Sequence, residues 1–420
     1  MTQGKCFSTR AELGDAWGLP GIGRSAYNVD VTEVPFNSEI GADEVHAPGE
    51  MEVLAVEPPE AVRVGWIAAE DTIERLSRTL QPLAIGLLDE LVEITTACPP
   101  KALVSDLPSP PMEVIRYGRL RYYGFRTHAV EALAEELRPQ QLELLHALDC
   151  RSAGLTRQLA EMLNLRYVVS SYSLGDGRLL GTLDERAAGV LAASEPIRTD
   201  LLEHHVAAVE KIQLLHPGVY QVRHTTLFEN PSQSAAIVAG GRLDDFTAFE
   251  AVLKCFAELK NRGYDCVFFV IGNGRAERQL RHLSERLDLS SVLTFVDRQQ
   301  PSRMSGIFKA ADIYLSPAPS RSIDISALLA MAAGDPVIAA GSGCSDFLLA
   351  DQTALLYRAG DWVELTAKVT SLLDDHDAAR RLANSALKHL HDHYSPASMV
   401  SCLAGMYRGV IAGAGAAAAR

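Results

Sequence analysis

The chain has 420 residues, 47% of them hydrophobic, and a formal net charge of −14. That length suits two ordinary globular cores, and an acidic chain with no Lys/Arg-rich run excludes general nucleic-acid binding, which needs cations against a phosphate backbone. Seven scattered cysteines lack CxxC or Cys/His ligand spacing, the opening MTQGKCFSTRAELGDAW has no apolar leader core, and no uncharged apolar stretch is long enough to span a bilayer, so the expectation is a reduced, metal-free, cytoplasmic protein without an integral membrane segment.

Residues 1–60 mix Gly, Pro, Asp and Glu with isolated aromatics and show no sustained periodicity, which reads as an irregular N-terminal extension. From Val62 the texture changes. VRVGWIAA is a short apolar strand, and Thr79 to Val92 carries Leu, Ile and Val at helical spacing. LELLHAL near Leu142 follows, then the helical SAGLTRQLAEMLNL, the strand RYVVSSY, and AAGVLAASEPIRTDLLEHH, a strand running into a helix. Strands alternating with helices imply parallel pairing through right-handed crossovers. Pro217-Gly218 closes this half, and FENPSQS at Phe228 to Ser234 reads as a linker. The alternation then restarts with AAIVAGGRL, a helix ended by Gly263, the buried strand CVFFVIGNG, an amphipathic helix, SVLTFV, the helix MSGIFKAA and the strand DIYLSP. Beyond Val337 come a weak strand at ALLYR and helices over Trp362 to Leu373, Ala378 to His393 and Pro396 to Ile411. The division is an extension at 1–60, Rossmann-like domains at 61–220 and 221–394, a helix at 395–411 that can cross back to the first domain, and a frayed Ala/Gly tail at 412–420.

Several of these segments resemble the group 1 (family 4) retaining glycosyltransferases. They are GGRL at Gly240 to Leu243, VIGNG at Val270 to Gly274, KAADIYLSP at Lys309 to Pro317, and LLAMAAGDPVIA at Leu328 to Ala339. HALDCRSAGLTRQLAEMLNLRYVVS, LAASEPIRTDLLEHH and HPGVY resemble the family's first domain and its Pro-Asn-Gly-Val turn. The resemblance covers roughly Val62 to Ile411 and implies an α/β, GT-B-like fold, two Rossmann-like domains facing a cleft. It implies a nucleotide sugar or nucleoside diphosphate as ligand, an acceptor the sequence does not name, and no cofactor.

The resemblance also places the site. Family members hold the donor diphosphate with a GRL arginine and a lysine about five residues on, contact sugar and ribose with two glutamates eight residues apart, and bring a His-x-His pair to the sugar. Aligned on Ala330-Met331-Ala332 and Gly334, the first glutamate position is Arg321 and the second Leu329. The arginine survives as Arg242, the lysine position is Thr247, and the histidine pair is His146 with Leu148. Ala68-Ala69-Glu70-Asp71 stands where a glycine-rich turn belongs. The donor-binding candidates are therefore Arg242, Gly272, Gly274, Ser320, Arg321, Ser322, Asp324 and His146, with no catalytic residue assigned and no metal.

Each candidate has a plainer role. Arg242 can pair with Asp244 or Asp245, and Gly272 and Gly274 can simply shape a turn. Asp324 can pair with Arg321, the preferred role, or stand in for the missing glutamate. His146 can be a satisfied core histidine. Ser320 and Ser322 are ordinary turn residues. His204-His205 and the His389, His391, His393 set read as solvated helix surface. Three functions fit: a nucleotide-sugar glycosyltransferase with an unusual donor pocket, a non-catalytic relative acting with a protein partner in a polysaccharide or glycoconjugate pathway, or, least favoured, a nucleotide-sugar epimerase.

Overall fold

The apolar runs of this sequence form two separate, wholly parallel sheets. In the computed structural model the described residues are 61–105, 107, 112–118, 126–222, 228, 234–296 and 306–418. The reading of residues 1–60 lies outside the described residues.

The first sheet has seven strands: β1 (Val62–Ile67), β2 (Val92–Cys98), β3 (Glu113–Arg116), β4 (Leu144–Ala147), β5 (Arg166–Ser171), β6 (Ala187–Ala192) and β7 (Ile212–Leu214), in the order β3-β2-β1-β4-β5-β6-β7. Its helices are α1 (Thr72–Asp89), α2 (Arg126–Leu137), α3 (Ala153–Leu163), α4 (Asp176–Leu180) and α5 (Glu195–Glu203). The second sheet has six: β8 (Ala235–Gly240), β9 (Cys266–Ile271), β10 (Leu293–Val296), β11 (Ile313–Ser316), β12 (Val337–Ala339) and β13 (Ala354–Leu356), in the order β10-β9-β8-β11-β12-β13. With it go α6 (Phe246–Asn261), α7 (Glu277–Arg286), α8 (Ile325–Ala333), α9 (Trp362–Asp374) and α10 (His376–His393). AAIVAG of β8 is buried along its whole length, as expected of a central parallel strand covered on both faces. No helix among the described residues is long and apolar enough to cross a membrane.

Three boundaries differ from the sequence reading. The helix after β1 begins at Thr72, not Thr79, because Ile73, Leu76, Leu80, Leu83 and Leu87 make one continuous buried stripe, and Pro82 is accommodated within it. Val92 instead opens β2, whose Thr-rich VEITTAC does not alternate cleanly because nearly every side chain is buried. At the other end, α11 runs over Pro396–Ala418, past the expected fray point at Ala412, in keeping with the high helix propensity of alanine. The linker expected at Phe228 to Ser234 falls largely outside the described residues.

α11 leaves the second lobe and completes the core of the first. Met399, Val400, Leu403, Ala404 and Tyr407 pack with Trp66, Leu76, Leu80 and Leu83. Gly86 of α1 permits the approach, since a Cβ there would lie 2.5 Å from Val400 Cγ2. At the centre, Tyr407 accepts a hydrogen bond from Trp66 Nε1 (3.1 Å), and its hydroxyl lies 2.5 Å from His146 Nδ1. Tyr407→Phe removes the partner of two buried groups, so urea unfolding should give a stability loss of about 1–3 kcal/mol. A variant as stable as the parent would mean that this bridge contributes nothing.

Candidate functional site

In open parallel sheets, ligands bind beyond the carboxyl ends of the strands where the strand order reverses. Here those points lie between β1 and β4 in the first lobe and between β8 and β11 in the second.

At the first reversal, a network the sequence reading did not identify joins the ends of β1 and β4. Asp149 is buried and accepts from the N–H groups of Ala69 (3.1 Å), Arg151 (2.7 Å) and Ser152 (3.0 Å) and from the Thr72 hydroxyl. Arg151 reaches back to Asp71 at 2.5 Å. Burial pushes the Asp71 carboxyl up, but Arg151 outweighs it and holds Asp71 below the ordinary carboxylate range. The only hint in the sequence was the pairing of Glu-Asp after one strand with Asp-Cys-Arg after another. His146 lies just beneath, 1% exposed, with Nε2 2.8 Å from Ser170 Oγ and Nδ1 on Tyr407. Both ring nitrogens are thus engaged inside the lobe, and neither is left to meet a donor sugar. Burial lowers the His146 pKa to about 3.

At the second reversal the glycines serve backbone packing. Gly241 has φ +150° and Gly272 φ +146°, and a Cβ on Gly272 would sit 1.9 Å from the Gly241 carbonyl oxygen. One on Gly274 would sit 2.3 Å from the Leu243 carbonyl carbon. The turns after β8 and β9 are therefore pressed together, and Leu243 N–H donates to the Asn273 carbonyl (3.1 Å). Arg242, its side chain 81% exposed, is paired with Asp244 through Nη2 at 2.6 Å, one of the two pairings the sequence suggested. Thr247 is exposed in the first turn of α6.

Asp324 does not pair with Arg321, as the sequence reading preferred. It is the N-cap of α8: its side chain accepts from Ala327 N–H (3.1 Å) and from the Ser316 hydroxyl (2.7 Å). An N-terminal turn needs such an acceptor for its free N–H groups, and the DIS sequence supplies it. Burial raises the Asp324 pKa despite those bonds.

Arg321 and Ser322 instead cross the cleft. Leu174 N–H donates to Arg321 O (2.7 Å), Ile323 N–H donates to Tyr172 O (2.9 Å), and Ser173 and Ser322 form an antiparallel bridge with their hydroxyls 2.6 Å apart. The Arg321 guanidinium lies over this junction, 3.4 Å from Leu174 O. Ser320 stays within its own turn, its hydroxyl accepting from Ser322 N–H (3.2 Å). On the first-lobe side, Asp176 accepts from Tyr172 N–H, Ser173 N–H and the Ser171 hydroxyl and so sets the shape of the bridging loop. Tyr172 and Leu174 pack in one hydrophobic cluster with Ile323 and Ile325.

A second junction lies at Asp346. It accepts from Glu195 N–H at the start of α5 (2.8 Å) and from the Tyr394 hydroxyl (2.6 Å), with His216 Nε2 at 3.5 Å. Burial pushes this carboxyl up, but His216, Tyr394 and the Glu195 N–H together hold it below the ordinary range. Asp176, Asp324 and Asp346, at the interlobe junctions, each accept from the protein's own groups. Leu329, at the second glutamate position, is half-buried against an apolar groove shared with Ile85 and Tyr220.

Residues 234–375 match the model of the family Glycosyl transferases group 1. The chain carries a group 1 glycosyltransferase domain. A D-inositol 3-phosphate glycosyltransferase of Corynebacterium glutamicum (strain R) is 28% identical over 234 residues, 51% of this chain and 55% of the relative. Its counterpart in Nocardia farcinica is 27% identical over 240 residues, covering 52% and 51%. The chain thus spans about half the length of the curated relatives it matches. A glycosyltransferase structure from Rickettsia africae ESF-5 superposes with a TM-score of 0.68 at 16% identity, covering 84% of this chain and 99% of that one. Anabaena Alr3699/HepE in complex with UDP and glucose gives a TM-score of 0.67 at 13% identity, covering 82% and 98%. The fold is that of the GT-B glycosyltransferases.

Two predictions test this geometry. With Ser173 and Ser322 both changed to Cys, the paired hydroxyl positions put the sulfurs within bonding reach, and mild oxidation should link the 173 and 322 peptides in mass spectra without loss of helical signal. Absence of that link would mean that the lobes do not meet there. Because the buried neutral His146 gains a proton on unfolding, stability should fall as pH drops from about 6.5 towards 3, with a slope of up to about 1.4 kcal/mol per pH unit from this residue. His146→Gln should flatten the profile by that amount; an unchanged slope would contradict the assignment.

Proposed function

We propose that this chain is a glycosyltransferase-family protein that has lost the family's route of sugar transfer and acts as a non-catalytic partner or regulator in a polysaccharide or glycoconjugate pathway. The pairing of Tyr172–Leu174 with Arg321–Ile323 carries this reading. It occupies the position that the resemblance assigns to a donor-contacting glutamate and substitutes an interlobe hydrogen-bonded junction. Leu329 adds to it, because an aliphatic side chain cannot accept from ribose hydroxyls. Each charged hydrogen bond lost at a buried site costs about 1.5–3 kcal/mol, roughly one to two decades of affinity, so losing several takes a micromolar ligand past the millimolar range.

A second reading, a nucleotide-sugar-dependent enzyme with an altered pocket, is favoured by the exposed Arg242 guanidinium beside the glycine turns and by the activity named for the curated relatives. Calorimetric titration with UDP, GDP, ADP and their glucose conjugates, alongside an assay for released nucleoside diphosphate, separates the two. The expected result is no saturable binding below about 1 mM and no release, taking the decades lost above as the guide. Saturable micromolar binding that disappears in Arg242→Ala would overturn the non-catalytic reading in favour of the second.

A further inference from the structure

The two stretches of chain that pass between the lobes lie against each other. Val219 N–H, just after the His216-Pro217-Gly218 turn, donates to the carbonyl of Tyr394 (2.9 Å), the residue that ends α10. Gly218 permits the approach, since a Cβ there would lie 2.7 Å from Pro396 Cα, and Gln221 Nε2 donates to the Leu387 carbonyl (2.7 Å). Imidazoles gather where these crossings meet. The His216 ring stacks on the Tyr394 ring with centroids 4.5 Å apart, His389 of α10 lies 5.8 Å from that ring, and His393 lies 4.8 Å from His389. His391 and His393 are exposed, as the sequence suggested, but His389 is partly buried.

His216 is the member that faces a carboxylate. Its Nε2 is buried and makes no hydrogen bond, with Asp346 Oδ2 3.5 Å away. Asp346 already holds Glu195 N–H, at the head of α5 in the first lobe, and the Tyr394 hydroxyl. The neighbouring charges are otherwise engaged or distant from it: the Glu195 side chain pairs with Arg198 (2.9 Å), Asp392 is exposed and acts on His389, and burial pushes the nearby Cys344 thiol up to about 12, which keeps it neutral. A protonated imidazole donates from both nitrogens and carries a positive charge, so the loose approach to Asp346 becomes a charge-assisted bond. We propose that His216 is a proton-operated clamp on the connection between the lobes: taking up a proton draws it onto Asp346 and fixes that carboxylate where it holds α5 and Tyr394. The device works between about pH 5 and 8, where imidazoles exchange protons. Asp346, whose donors outweigh burial and hold it below the ordinary carboxylate range, stays ionised throughout. Burial, then His393 and His216, hold His389 below the ordinary imidazole range, so a second charge beside Tyr394 is resisted. The clamp needs no nucleotide and goes beyond the reading above.

Hydrogen exchange at the Glu195 amide of the full chain, followed by NMR as protection factors at about pH 5.5 and about pH 7.5, tests the proposal. His216→Phe keeps a ring against Tyr394 while removing the proton site, and His216→Gln removes both. At the lower pH the parent should protect Glu195 about tenfold better than either variant, and at the higher pH the three should agree within about twofold. Comparing chains at one pH cancels the loss of global stability expected from His146. Asp346→Asn should abolish the pH-dependent gain, and His391→Gln, at an exposed position, should retain it. The proposal is overturned if parent and His216→Phe protect Glu195 alike at both pH values. It is equally overturned if they differ by the same factor at both, which would mean a ring contact alone, or if the gain survives in Asp346→Asn.

Discussion

The arrangement of the two lobes depends on a short antiparallel pairing between the loop after β5 and the loop before α8. Two backbone hydrogen bonds, Leu174 to Arg321 and Ile323 to Tyr172, join chain segments about 150 residues apart, with the Ser173 and Ser322 hydroxyls in contact between them. The pairing works because each loop is already held in shape by its own lobe. Asp176 fixes the first through its bonds to Ser171, Tyr172 and Ser173, and Asp324 fixes the second as the cap of α8. Asp346 adds a further junction by taking the free N–H at the start of α5, a favourable place for a carboxylate. Tyr172, Leu174, Ile323 and Ile325 pack together beside the seam.

Among the described residues, several polar groups at the strand ends and loops around the cleft are committed to the protein. Asp149 and Arg151 tie the first reversal point together, His146 is satisfied on both nitrogens, Asp324 caps a helix, and Arg242 rests on Asp244. Buried polar groups need partners, and each of these has found one within its own chain. Among the described residues, Ile85, Tyr220 and Leu329 line an apolar groove beside the seam. A fold common to nucleotide-sugar enzymes thus presents a hydrophobic furrow beside a seam held by hydrogen bonds.

Much of this was legible in the sequence, and the remainder was not for identifiable reasons. The alternating apolar runs located most strands of both lobes, because central parallel strands such as AAIVAG and CVFFVI are continuous hydrophobic runs. β2 escaped because VEITTAC is rich in threonine, and α1 was placed about two turns late because Thr72 and Glu74 dilute its start. At the positions aligned with the family, the types of Leu329, Arg321 and Arg242 could be read directly, since residue type limits what a side chain can bind. Partners were harder to read. Asp324 lies three residues from Arg321 in sequence, yet the geometry of a helix start gives its carboxylate to Ala327 N–H and the Ser316 hydroxyl. That Arg321 would meet Leu174 depends on how the lobes close, which no local pattern encodes.

Amide hydrogen exchange at Leu174 and Ile323, with and without millimolar UDP-glucose, tests the central claim most directly, because these two N–H groups form the backbone pairing between the loop after β5 and the loop before α8. The account predicts strong protection at both, unchanged by the nucleotide sugar. Exchange at the rate of an exposed loop, or protection released when the nucleotide sugar is added, would show that the seam opens to a donor and would contradict it.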